Sequence, residues 1–192
     1  MYRNRPTSTA IDAGSIRELI PHAGTMCLLE HVVAFDDTSI RCETRSHLDV
    51  NNPLRYKGRL SSLCGIEYAA QAMALHGALK SGAFGTSALK SGATNTGKRC
   101  AATAAPMAMR PAAQSTAIDG RRQPCVPAQA RHGFLAGVRD AHISRRYMDD
   151  QQCPLTVSAA LEFDDASRVI YAFTVVAGDT PLISGRAAVV LG

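Results

Sequence analysis

Between Ser61 and Leu79 the chain carries a single charged side chain, Glu67, set in the run Cys64-Gly65-Ile66-Glu67-Tyr68-Ala69-Ala70-Gln71. Burying a carboxylate in such apolar company is costly unless the group is paired or protonated. A carboxyl group held in this way is the type that enzymes use as a general acid or base near neutral pH. Gln71 follows one helical turn later on the same face and can orient the carboxylate. The alternative is a structural glutamate satisfied by a backbone amide or an arginine. Cys64, at the start of the same run, is either a thiol activated by a helix end or a small buried filler. His76 lies further along and reads as packing. No Gly-rich phosphate cradle and no serine nucleophile elbow is present.

Glu67 needs an element to hold it. Leu63, Ile66, Ala70, Met73 and Gly77 recur at helical spacing, and Ala69, Ala72 and Leu75 make the other side apolar too. The spacing predicts a buried helix over Ser61–Leu79, capped by Ser61 or Ser62. Upstream, Ser15 is expected to cap a short helix through Leu19, stopped by Pro21. Met26–Phe35 reads as a strand, Asp36-Asp37 as a turn, and the alternating Thr38–His47 as a second strand ended by Asn51-Asn52-Pro53. Downstream, Phe134–Ser144, Leu155–Phe163, Val169–Ala177 and Leu182–Leu191 read as four strands, with turns at Asp164-Asp165 and Gly178-Asp179. Two strands, one buried helix and a run of strands predict an α+β fold with an antiparallel sheet wrapped around the helix.

The stretch 81–131 is different. It is rich in Ala, Gly, Ser, Thr and Pro, lacks periodic apolar positions, and reads as a low-complexity basic insertion expected to be disordered. One domain is therefore expected from 14–80 and 132–191. The net charge of +5 on 192 residues resides in this insertion: Lys80 to Arg131 carries eight basic residues against one acid, Asp119. The remainder is slightly acidic, and only 5% of the chain is aromatic, so a nucleic-acid partner is not expected. No apolar run reaches the ~18 residues of a membrane span. The polar start of the chain carries no secretory signal. The six cysteines form no CxxC pair and no Cys/His group has zinc-ligand spacing, so no metal is expected. Free thiols in a reducing cytoplasm are the simplest reading.

Three segments resemble a known family. These are Pro21-His22-Ala23-Gly24-Thr25-Met26-Cys27-Leu28-Leu29-Glu30, the polar loop through Asn52-Pro53-Leu54, and Gly65-Ile66-Glu67-Tyr68-Ala69-Ala70-Gln71-Ala72-Met73-Ala74. They resemble the hotdog family, nearest to the 3-hydroxyacyl-carrier-protein dehydratase-like proteins of aryl-polyene gene clusters. They are more distantly similar to the fatty-acid 3-hydroxyacyl dehydratases. Gly133-Phe134-Leu135-Ala136-Gly137-Val138-Arg139-Asp140 resembles the branch's third strand.

The resemblance implies a hotdog fold in which a helix carboxylate works with a histidine across a dimer interface. It assigns Glu67 the carboxylate role and matches Gln71 to the family's helix glutamine. It carries substrate contacts onto Gln71, Cys64, Gly65, Asn52 and His22. The amides near Cys64 and Gly65 would polarise a thioester carbonyl, as a helix N-terminus is suited to do. The fatty-acid enzymes carry the histidine in a Gly-His-Phe loop; here Gly58-Arg59-Leu60 stands in its place, and arginine is no base at neutral pH. His47, at the end of the second strand, is the first candidate to substitute, and its loss is expected to lower turnover. His22 is the second, and its loss is expected to affect mainly stability. Arg55, Lys57 and Arg59 alternate beside the site, either as contacts for a phosphopantetheine phosphate or acidic carrier protein or as a solvated loop.

Two classes of function follow. One is an enzyme dehydrating 3-hydroxyacyl thioesters on acyl carrier protein, with no cofactor beyond the carrier's phosphopantetheine, or a related thioester hydrolase. The other is a non-catalytic hotdog subunit supporting an active partner. Both expect a homodimer or a mixed hotdog oligomer.

Overall fold

The computed structural model of the protein describes residues 11–82 and 133–192. The stretch 81–131, except Ser81 and Gly82, lies outside the described residues. The order of elements is helix α1 (Ala13–Leu19), strands β1 (His31–Phe35) and β2 (Ser39–Thr44), helix α2 (Gly65–Lys80), and strands β3 (Gly133–Ile143), β4 (Leu155–Asp164), β5 (Arg168–Ala177) and β6 (Thr180–Leu191). The strands form one antiparallel sheet in the order β1-β2-β4-β5-β6-β3. Helix α2 packs against β2, β4, β5 and β6.

Alternation explains the packing. Leu155, Val157 and Ala159 of β4 and Val169, Tyr171, Phe173, Val175 and Ala177 of β5 are buried, every second residue facing the helix. From α2, Tyr68, Ala69, Ala72, Met73 and Leu75 enter the same core. The helix seats closely because Gly65 has no side chain: a Cβ there would lie 2.5 Å from Ile183 Cγ2 on β6. At its far end Gly82, with φ +71°, takes the left-handed conformation that terminates many helices. No helix among the described residues is long and apolar enough to cross a membrane.

Several boundaries differ from the sequence expectation. Helix α1 is capped by Asp12, whose carboxylate accepts from Ser15 N at 3.0 Å, so Ser15 lies inside the first turn. The expected strand Met26–Phe35 shortens to β1, behind a 3-10 turn at Gly24–Met26. The cause is that the Met26 carbonyl and the Leu28 amide are bonded to the side chain of Gln71 on α2. The expected strand Thr38–His47 ends at Thr44, because the Thr44 and Ser46 hydroxyls turn back to the Leu28 carbonyl and Ser46–Leu48 forms a 3-10 turn. Helix α2 is likewise preceded by a 3-10 turn, Ser62–Cys64, with Ser61 Oγ accepting from Leu63 N.

The two edges of the sheet are unlike. Beside β1, Ile11 forms a bridge to Val32, with Val32 N donating to Ile11 O at 2.9 Å. Beside β3 no described strand lies, and nearly every residue of β3 is exposed, Phe134, Leu135 and Ile143 included.

Candidate active site

Glu67 stands in the first turn of α2, where the positive end of the helix dipole favours a carboxylate. Two donors reach it. His22 Nε2 lies 3.1 Å from Glu67 Oε1, and Gln71 Nε2 donates to the same oxygen at 3.0 Å. Oε2 takes part in neither contact. The His22 and Glu67 side chains remain 26% and 32% exposed, so a small molecule can reach a pair that is otherwise packed.

The position of His22 is set by a short loop. Its carbonyl accepts from the Cys27 thiol at 3.2 Å, across the 3-10 turn at Gly24–Met26. Gly24 adopts φ +60°, which a side chain would strain. An ionised Glu67 can only accept, so the paired histidine carries its proton on Nε2. His22 Nδ1 is buried with no partner among the described residues. A second proton on the ring would therefore be a buried donor without an acceptor.

His47, the first candidate for the base, lies elsewhere. It is fully buried in the turn Ser46–Leu48, its Nε2 is 3.0 Å from the carbonyl of Gln151, and burial pushes its pKa below the ordinary histidine value. Because β2 stops at Thr44, the chain turns before residue 47 and carries its imidazole to the segment around Gln151. The histidine that meets Glu67 is His22.

Several other expected substrate contacts are occupied within the chain. Gln71 is fully buried, with both its oxygen and its nitrogen bonded. Asn52 is buried, donating to Ser46 O at 2.8 Å and to Tyr68 Oη at 2.9 Å and accepting from Leu54 N at 3.0 Å. The Cys64 amide donates to Ser61 O at 3.0 Å, and the Gly65 amide is taken by the 3-10 turn. Neither is the free donor expected for a thioester carbonyl. Burial raises the pKa of the Cys64 thiol, which favours the small-filler reading over an activated thiol.

The basic loop is also largely spoken for. Arg55 donates to Asp49 O, Gly58 O, His47 O and the Asp149 carboxylate. Arg59 pairs with Asp149 and Asp150 and lies over the Tyr147 ring at 3.9 Å. Its guanidinium is thus held by two carboxylates, and these lower the effective charge a phosphate would meet. Lys57 sits at the tip of a two-residue hairpin with Gly58, both at positive φ, and is exposed.

Sequence reasoning missed three members of this assembly. Tyr68, beside Glu67, joins Asn52 and Ser46 through its buried hydroxyl. The signal was present as a phenol in an otherwise apolar helix, since buried tyrosines seek a partner. Asp149 and Asp150 were legible only as an acidic pair far along the chain, with no hint that they face Arg55 and Arg59.

The family described as ApeP-like, ApeP dehydratase, matches residues 14–93, which include His22, Glu67 and Gln71. No curated protein matches the chain. Among solved structures, the dehydratase heterocomplex ApeI:P from Xenorhabdus doucetiae is 18% identical, covering 92% of this chain and 90% of that one with a TM-score of 0.60. That likeness bears on the fold, which is the hotdog fold. A mutant thioesterase from Pseudomonas aeruginosa is 13% identical, covering 85% of this chain and 80% of that one, at a TM-score of 0.43, too low to carry an argument.

Proposed function

We propose that the chain, which has the hotdog fold and matches the ApeP-like family over residues 14–93, removes water from 3-hydroxyacyl thioesters. The observation that carries this reading is the 3.1 Å contact between His22 Nε2 and Glu67 Oε1 at the start of α2. An elimination needs two proton positions. Glu67, ionised in that contact, takes the proton from C2 and delivers it to the C3 hydroxyl, which leaves as water while the C2–C3 double bond forms, and His22 Nε2–H holds the carboxylate through Oε1. The positive end of α2 favours the negative charge that develops on the thioester oxygen. The substrate in this reading is an acyl group on the phosphopantetheine of an acyl carrier protein, in fatty-acid-like or aryl-polyene synthesis, with no other cofactor. Lys57 is the cation of the basic loop left to meet a phosphate, since Arg55 and Arg59 are bound to Asp149 and Asp150.

A second reading has one observation in its favour. The position before the helix where the fatty-acid enzymes carry histidine holds Arg59, tied to two carboxylates and unable to act as a base. In that reading the chain is the supporting subunit of a mixed hotdog oligomer. Incubating the purified protein with a 3-hydroxyacyl carrier protein, alone and with a partner dehydratase subunit, and following the loss of one water by mass spectrometry separates the two. Turnover by the protein alone is expected. Turnover only in the mixture, unaffected by Glu67→Gln, would assign it the supporting role.

A further inference from the structure

We infer that Gln71 is a positioning residue, holding the segment that carries His22 against the helix that carries Glu67, and is not a substrate ligand. The inference rests on the reading of His22 and Glu67 as the reacting pair. Gln71 is fully buried, so it has no atom to offer a ligand. Its carboxamide is used on every side. The oxygen accepts from Leu28 N at 2.9 Å, and the nitrogen donates to Met26 O at 2.7 Å and to Glu67 Oε1 at 3.0 Å. These partners fix the amide's orientation. Turned over, its oxygen would face a carbonyl and a carboxylate, and its nitrogen would face an N–H.

The other backbone group of Leu28 is fixed independently. Leu28 O accepts from Thr44 Oγ1 at 2.6 Å and from Ser46 Oγ at 2.7 Å. Ser46 Oγ is in turn 3.0 Å from Tyr68 Oη, three residues before Gln71 on α2. Residues 26–28 are therefore clamped between α2 and the end of β2. His22 lies just upstream, joined to this clamp through the Gly24–Met26 turn and the Cys27 thiol. Among the described residues its ring makes one polar contact, to Glu67, and Nδ1 has none. The imidazole thus has little to locate it except the loop that Gln71 anchors. One amide sets both the carboxylate and the height of the loop bearing its partner, and a displacement of about 1 Å at such a pair is enough to cost roughly 100-fold in rate.

The test uses Gln71→Met and Gln71→Glu in the full-length protein. Gln71→Glu keeps the shape and the acceptor for Leu28 N, and it carries the test should Gln71→Met not fold. Without substrate, nitrogen-15 NMR of the His22 imidazole is expected to report a carboxylate-bonded Nε2–H in wild type. In the Gln71 variants that signature should be lost, as in Glu67→Ala. In turnover, kcat should fall roughly 10–100-fold with KM unchanged. A folded variant that keeps the His22 signature, or one whose KM rises at constant kcat, would overturn the inference. The NMR arm reads the pair with no substrate present, so an inactive wild type would sink the dehydratase reading while leaving the role of Gln71 decidable.

Discussion

At the scale of single residues, Glu67 separates chemistry from packing. Glu67→Gln keeps a side chain that can still accept from His22 and Gln71, yet removes the exchangeable proton. Dehydration is expected to fall by ~10²–10⁴, with the unfolding midpoint nearly unchanged. His22→Asn should lower kcat comparably. His47→Asn should leave kcat alone and lower stability, since it disturbs a buried imidazole bonded to Gln151. Steady-state kinetics and urea melts on the three variants check this, and a His47 variant that loses turnover while His22→Asn does not would restore the other pairing. The sequence made Glu67 visible because one charge in an apolar helix is a local anomaly. It put His47 ahead of His22, because the aim of each imidazole depends on where the neighbouring backbone turns. That in turn depends on Gln71 reaching across to Leu28, a contact spanning 43 residues. Asn52 and Arg55 were read as facing a ligand for the same reason: polar residues near a site look alike until their partners are known.

Elements show a different balance. The helix and the four C-terminal strands were legible almost to their ends, because period 3.6 and period 2 are written in the apolar residues themselves. The expected start of β1 was not, as side chains of α2 and of the β2 end take the backbone groups of Met26 and Leu28. Two predictions belong here. Gly65→Ala should destabilise the fold by about 1–3 kcal/mol through overpacking, because Ile183 Cγ2, only 2.5 Å from the new methyl, belongs to a β-branched side chain with little freedom to yield. Chemical denaturation measures it directly. The second concerns pH. His47 and His76 both have pKa values pushed down by burial, His76 being held between Tyr171 Oη and the Asp36 carbonyl, each at 2.8 Å. Both are neutral in the fold and free to protonate once unfolded. Their contribution is complete above the ordinary value of 6.5 and is lost as pH falls below it. The urea midpoint should therefore drop between about pH 7.5 and pH 5.5, and His76→Gln should flatten that slope.

For the whole molecule, the decisive surface is the outer side of β3. An eleven-residue strand with Phe134, Leu135 and Ile143 exposed is a ready template for pairing with another chain. The protein is expected to sediment as an oligomer at micromolar concentration, alone or with a related hotdog subunit, and Leu135→Lys should shift it toward monomer. A wild type that remains monomeric would count against any site completed by a neighbouring chain. The contrast between the two edges sets what form such association can take. Ile11 bridges to Val32 on the β1 side, so a copy joined through β3 presents, among the described residues, no second strand of equal length at its far end. Growth by sheet extension is consequently expected to stop at the first junction. A two-fold pair is then expected to be a finished object, the asymmetry that favours assembly also capping it before a fibre can form.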